Sequence, residues 1–89
     1  MKFEYDPNKS KRNLEKHGIT LEQARSIWDA PYVELEAKNV DEPRFMVIGQ
    51  IGGKCYSCIY TFRGSVKRLI SARRSRKKEE ALYNEHVKT

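Results

Sequence analysis

The sequence predicts an α+β domain in which helices come first, an antiparallel sheet follows, and one more helix ends the chain. Apolar residues recur at helical spacing as far as Trp28. From Tyr32 the period switches to two, and glycine turns separate the alternating segments. Helices and strands grouped in this way are typical of the α+β class. Because the chain has only 89 residues, we expect a single domain over residues 1–89.

The N-terminal segment predicts a short strand and a first helix. Phe3 and Tyr5 alternate with charged residues, as in a strand. Asp6 supplies an N-cap before a proline at the first helical position, so a helix is predicted from Pro7 to His17, with Gly18 ending it. The face expected to point toward the body carries Ser10, Asn13, Leu14 and His17.

A second helix is predicted directly after the first. Thr20 and Gln23 form a capping box at its start. Residues 29–31 end it. Its inner stripe is Leu21, Ala24, Ile27 and Trp28.

The middle of the chain predicts a four-stranded antiparallel meander. Gly49 marks the site of a β-bulge in the second strand of this meander, and Gly52-Gly53 is a two-residue hairpin signal. The strands are expected over residues 32–38, 44–51, 54–63 and 66 to about 72, with turns at 39–43, 52–53 and 64–65.

A last helix is predicted over residues 75–87, with Ser75 as its cap. The acids Glu79, Glu80 and Glu85 follow a run of cations. We expect them to form surface pairs one turn apart, as between Arg76 and Glu80.

Positive charge is concentrated in one part of the chain. The protein has 18 Lys and Arg against 12 Asp and Glu, a formal net charge of +6. Eight of the cations fall in residues 63–78, here called the basic run, which contains no acid. Such a run is either a solvated face or a binding surface for a polyanion such as RNA. Its cations are Arg63, Lys67, Arg68, Arg73, Arg74, Arg76, Lys77 and Lys78.

The sequence gives no sign of a membrane segment or a metal site. No apolar run approaches the roughly 20 residues that span a bilayer, and the N-terminus has no signal-peptide pattern, so a cytoplasmic protein is expected. Cys55 and Cys58 lie three apart on a predicted strand and therefore face opposite sides of the sheet. With no second ligand pair, packing is favoured over metal or redox chemistry, and no cofactor is expected.

No familiar set of catalytic residues is evident. The sequence lacks a Ser-His-Asp set, a glycine-rich phosphate loop and a carboxylate pair. Any chemistry would be metal-free and driven by cations, with a histidine or a tyrosine moving the proton. His17 is one such group, although a histidine that ends a helix also interacts with the last carbonyls.

Several blocks of the sequence resemble the BrnT family of bacterial toxins, over nearly the whole chain. The blocks are residues 3–7, 16–19, 44–49, 60–64 and 68–73. The resemblance implies a RelE-like fold and a ribonuclease that halts translation. It also implies a BrnA-like antitoxin with a ribbon-helix-helix DNA-binding half. The pair would bind operator DNA through the antitoxin and repress its own operon.

The resemblance also implies roles for individual residues. In RelE-like ribonucleases the 2′-hydroxyl of the substrate attacks the adjacent phosphate while basic residues stabilise the transition state. That role falls on Arg63, Arg68 and Arg73, with Tyr83 or His17 as the proton carrier. Expected RNA contacts are Arg44, Lys67, Arg74, Arg76 and Lys77. The alternative is a non-catalytic nucleic-acid-binding or antitoxin-docking module, for which the same basic run would suffice.

Overall fold

The computed structural model describes residues 1–37 and 42–87 and confirms the α+β class. Most of the turn predicted over residues 39–43 therefore lies outside the described residues. The strands are β1 (Phe3–Glu4), β2 (Tyr32–Ala37), β3 (Arg44–Ile51), β4 (Lys54–Arg63) and β5 (Val66–Arg74); the α-helices are α1 (Pro7–His17), α2 (Leu21–Ala24) and α3 (Lys77–Val87), and a 3₁₀ helix spans Arg25–Asp29.

The five strands form one sheet in the order β1-β5-β4-β3-β2. Strands β2 to β5 make the predicted antiparallel meander. The short opening strand joins the same sheet, because β1 pairs in parallel with β5 at Lys67 and Arg68. Gly52 and Gly53 have φ angles of 58° and 79°, which suit the tight turn between β3 and β4.

The bulge of the sheet lies in β5, so the bulge predicted at Gly49 is wrong. Gly49 pairs regularly with Tyr56, and a Cβ atom built on it would stand 2.8 Å from the Ile27 side chain. Glycine is needed there for close packing. The pairing of β4 and β5 shifts between Ile59 and Tyr60, which leaves Ile70 without a partner in β4.

Helices cover both faces of the sheet. The face under α1, α2 and the 3₁₀ helix holds a larger apolar cluster that includes Cys58. The opposite face packs against α3 and includes Cys55 and Tyr83. The two cysteines therefore diverge, as predicted, and burial raises the pKa of the Cys58 thiol to about 12.

The second helical segment is less regular than predicted. The capping box is confirmed, because Thr20 Oγ1 accepts from Gln23 N at 3.0 Å and Gln23 Oε1 accepts from Thr20 N at 2.9 Å. The α-helix ends after one turn, however, and the chain continues as the 3₁₀ helix. That tighter segment carries Ile27 into the space above Gly49.

Polar side chains attach α1 to the body. Ser10 and Asn13 are buried, His17 is half-buried, and Leu14 is exposed, contrary to the prediction for Leu14. Asn13 Nδ2 donates to the carbonyls of Ile19 at 2.7 Å and Ala72 at 2.9 Å, while Asn13 Oδ1 accepts from Ala72 N at 3.1 Å. One amide thus joins the helix, the loop after it and β5.

We expect Asn13→Ala to lower the free energy of unfolding by about 2–4 kcal/mol, because it leaves three buried backbone groups without their partner. Chemical denaturation measures this loss. Leu14→Ala on the same helix is the control, and its cost should stay below about 0.5 kcal/mol since Leu14 is exposed. Equal costs for the two variants would contradict this account of the helix attachment.

Candidate nucleic-acid interface

The basic run does not form a single cationic surface. Within residues 1–37 and 42–87, three of its eight cations make ion pairs, each with an acid from a different part of the chain. The pairs are Lys67 with Glu34, Arg68 with Glu4, and Arg73 with Glu79.

Lys67, a predicted RNA contact, lies inside the aromatic cluster under the first helices. Its Nζ is 2.9 Å from Glu34 Oε2 and stands 4.8 Å from the ring centroid of Trp28 and 5.1 Å from that of Tyr60. Burial would raise the pKa of Glu34, but hydrogen bonds from Tyr60, Lys67 and Trp28 bring it below its usual value. Burial and the bond to Glu34 together raise the pKa of Tyr60. This ionic cluster ties β5 to β2.

Arg73 holds α3 against the sheet. Its two terminal nitrogens lie 2.7 and 2.8 Å from the two oxygens of Glu79, which also accepts from Ser57 Oγ at 2.9 Å and from Arg76 N at 2.9 Å. The hydrogen bonds from Arg73 outweigh desolvation and lower the pKa of Glu79 to about 2. The ion pair predicted between Arg76 and Glu80 is wrong, because neither residue takes part in the ion pairs of the described residues, where the acid of this helix that pairs is Glu79, with Arg73.

The start of α3 also differs from the prediction. The helix begins at Lys77, and Ser75 Oγ lies 2.8 Å from Ser57 Oγ instead of capping it. Farther along the helix, Tyr83 is 6% exposed and packs with Ile48 and Cys55. The predicted proton carrier Tyr83 thus stands in the core.

Three of the predicted site arginines do converge. A depression of about 310 Å³, here called the arginine groove, opens where β3, β4 and β5 come together. Arg44 lies 3.3 Å from Glu42, and Arg68 lies 3.0 Å from Glu4, so both guanidinium groups are held in direction. The lining consists of Lys9, Glu42, Arg44, Thr61, Phe62, Arg63, Arg68 and Ile70.

A second depression continues from the first. This helix groove, of about 360 Å³, runs between α1 and β5 and shares Lys9 and Ile70 with the arginine groove. It crosses β5 at a point where β1 no longer pairs with that strand. The lining consists of Lys9, Arg12, Asn13, Lys16, His17, Ile70 and Ser71.

Three cations of α1 line the helix groove, and the sequence did not lead us to expect them in the site. Lys9, Arg12 and Lys16 fall within an arc of about 60° at 100° per residue. Their i, i+3, i+7 spacing was the available signal. The larger excess of positive charge in residues 63–78 masks this spacing in the composition.

The remaining predicted cations lie elsewhere. The Arg74 guanidinium stacks over the ring of Tyr56 at 5.6 Å, and Arg76 and Lys77 are exposed around the start of α3. The structure thus brings together Arg44, Arg63 and Arg68, joins them to His17 through the helix groove, and keeps Lys67, Arg73 and Tyr83 in interior contacts.

The chemistry of the grooves is cationic. Several guanidinium and ammonium groups in one concave surface suit the phosphates of a nucleic acid. Among residues 1–37 and 42–87, no three His, Cys, Asp or Glu side chains are placed to share a metal ion. Within the same residues, none of the helices has the length and apolar character to cross a membrane.

The family match agrees with this surface. A family model described as the ribonuclease toxin BrnT of a type II toxin-antitoxin system matches residues 5–79. The chain belongs to the BrnT family. No curated protein matches the sequence. BrnT proteins are ribonuclease toxins, so RNA is the substrate and an antitoxin is the partner. The matched region contains both grooves.

We expect Glu79→Gln to lower the free energy of unfolding at pH 7 by about 1–3 kcal/mol, because it removes the charge that accepts from Arg73. Since folding lowers the Glu79 pKa from 4.5 to about 2, this contribution is complete above about pH 4.5 and is lost as the pH falls toward 2. Denaturation curves across this range measure it. Glu80→Gln, at an exposed position, is the control. If the free energies of unfolding of the two variants depend on pH in the same way, the assignment to Glu79 is contradicted.

Proposed function

We propose that this BrnT-family toxin is a metal-independent endoribonuclease that inhibits translation in the cytoplasm, with its RNA lying along the arginine and helix grooves. The observation that supports this proposal is the continuity of the two depressions through Lys9 and Ile70. The cations on both sides of β5 can contact successive phosphates along the backbone of an RNA strand. The bases of that strand then remain free of the protein. Single-stranded RNA is the form that fits such a surface.

In the proposed reaction the substrate supplies its own nucleophile. The 2′-hydroxyl attacks the neighbouring phosphorus, the bond to the 5′-oxygen breaks, and a 2′,3′-cyclic phosphate remains. The 2′-hydroxyl loses a proton to a base and the departing 5′-oxygen gains one. Arg63, Arg68 and Arg44 stabilise the added negative charge on the phosphoryl oxygens.

The proton-transfer role is assigned to His17. Of the two carriers expected from the sequence, Tyr83 is buried in the α3 cluster, whereas His17 lines the helix groove. A histidine exchanges protons near neutral pH. Arg73 is assigned a positioning role, since both ends of its guanidinium group bind Glu79.

The antitoxin is proposed to be a BrnA-like ribbon-helix-helix protein. The resemblance of the sequence blocks and the match to a type II family support this identity. In the proposed complex the antitoxin reads the operator DNA, and the toxin contributes to repression of the shared operon only through it.

A second candidate function is a non-catalytic nucleic-acid-binding or antitoxin-docking module. It is favoured by the engagement of Arg68 and Arg73 in ion pairs and by the burial of Tyr83. Three of the five groups expected in catalysis are thereby occupied within the fold. The two functions differ in whether bound RNA is cleaved.

We expect the purified protein to cleave RNA in the presence of a chelator, and Arg63→Ala or Arg68→Ala to slow cleavage by about 10²–10³-fold, because each removes a donor to the transition-state phosphate. Denaturing gels of end-labelled RNA measure the rate. Lys78→Ala, at an exposed cation outside both grooves, is the control. If folded wild-type protein binds RNA but leaves it intact, with and without ribosomes, the non-catalytic function holds instead.

We expect Lys16→Glu to weaken binding of single-stranded RNA about tenfold and to reduce its dependence on salt, because a phosphate contact in the helix groove is lost. Lys11→Glu is the matched control. Lys11 is exposed on the same helix, about 140° from Lys16 at 100° per residue, and the change in net charge is identical. Titrations at several salt concentrations compare the two; equal losses would show that net charge alone drives binding.

A further inference from the structure

An acidic and aromatic depression lies on the sheet face that carries Lys67, at the side formed by β2. Its volume is about 330 Å³. Both of its charged side chains are acids, although the protein as a whole carries a net charge of +6. This acidic-aromatic patch is lined by Glu34, Leu35, Glu36, Phe45, Tyr60 and Phe62.

The rings of the patch are in mutual contact and one of them is open to solvent. The centroid of Phe45 lies 5.6 Å from that of Tyr60 and 5.4 Å from that of Phe62. Phe62 is 46% exposed, so part of its ring is open to a ligand at the surface. Aromatic faces beside carboxylates bind guanidinium and ammonium groups through cation–π contacts and charged hydrogen bonds.

The patch already accommodates one cation from within the protein. Lys67 Nζ lies 5.9 Å from the centroid of Phe62 while it pairs with Glu34. The Tyr60 hydroxyl and Trp28 Nε1 both donate hydrogen bonds to Glu34 Oε2, and these bonds fix the orientation of the carboxylate. Glu36 is exposed, and no ion pair of the described residues includes it.

The strand beside the patch is an edge of the sheet. In the order of the described strands β2 comes last, so its outer backbone groups pair with none of the other four. Its residues alternate between exposed and half-buried, and the exposed positions are Tyr32, Glu34 and Glu36. An extended segment added along β2 would place every second side chain over the patch.

The charges select the kind of segment that fits. RNA would bring phosphates against Glu36, a carboxylate for which the described residues supply no ion pair. A second copy of this chain, paired edge to edge, would set the acids of one β2 beside those of the other, which is unfavourable. An extended protein segment with cationic side chains at alternate positions satisfies both the carboxylates and the rings.

We propose that the acidic-aromatic patch and the outer edge of β2 form the docking site for an extended, arginine- or lysine-bearing segment of a protein partner. In a type II toxin that partner is the antitoxin. Phe62 lines both the patch and the arginine groove, so a segment seated on the patch ends beside the RNA surface and shields it. The inference rests on the family and does not depend on the RNA chemistry proposed above.

The sole tryptophan provides a local reporter for the test. Trp28 Nε1 donates to Glu34 Oε2 at 3.2 Å, so occupation of the patch alters its emission. The probes are two peptides matching the six residues of β2, one alternating arginine with valine and one alternating glutamate with valine. The arginine peptide should shift the emission saturably and the glutamate peptide should leave it unchanged. Equal responses to the two peptides overturn the proposal.

A pair of charge reversals makes the test specific. Glu36→Arg should weaken binding of the arginine peptide at least tenfold, whereas Glu85→Arg, at an exposed position of α3 outside the patch, should change it less than twofold. The same contrast is expected for dissociation of the complex with the antitoxin co-expressed from the toxin's own operon. A complex equally sensitive or equally insensitive to both variants overturns the assignment, as does dimerisation of the toxin that Glu36→Arg abolishes.

The outcome is separable from that of the RNA experiments. Glu36 lies outside both grooves, so Glu36→Arg should cleave RNA at the wild-type rate. If wild-type protein leaves RNA intact while the peptide contrast holds, the proposed function fails and the docking site stands. If RNA is cleaved and the contrast is absent, the docking site fails alone.

Discussion

One extra residue in β5 determines which way each cation of that strand points. Ile70 has no partner in β4, so the alternation of faces is inverted beyond it. Arg68 pairs opposite Thr61 and Arg73 opposite Ser57, and both therefore face the α3 side although they are five residues apart. Lys67 faces the other side, with Tyr60. Ile70 also lies at the junction of the two grooves, where β5 is open beyond β1.

Three cations of β5 form ion pairs with acids of the described residues, and of these three Arg68 alone also lines a groove. Lys67 and Arg73 are matched by acids from β2 and α3, and these pairs hold distant elements against the sheet. Removing one partner of such a pair leaves the other charge poorly solvated, so both members are constrained. The positive surface that we propose for RNA combines Arg44, Arg63 and Arg68 with the cations of α1. It is assembled from segments far apart in the chain.

Opposite signs of charge occupy separate parts of one small sheet. The basic grooves lie around β5 and α1, and the acidic-aromatic patch lies beside β2. The two surfaces meet only at Phe62 among the residues that line both. In the proposed arrangement, RNA binds the basic grooves and a cationic segment of the antitoxin binds the acidic-aromatic patch, so that the two partners are distinguished by the sign of their charge.

The sequence by itself determined the features that depend on neighbours along the chain. Caps, turns and alternation predicted the α+β order. Gly18 ends α1 with a left-handed φ of 74°, a conformation that favours glycine. Only the tertiary structure decided the site. Whether Arg73 meets RNA or Glu79, and whether Lys67 is exposed or enclosed by rings, follows from the register of β5 and from acids 6 and 33 residues away. A one-residue bulge moves every later side chain of the strand to the opposite face of the sheet. The pattern of residues along the chain does not show where that shift occurs.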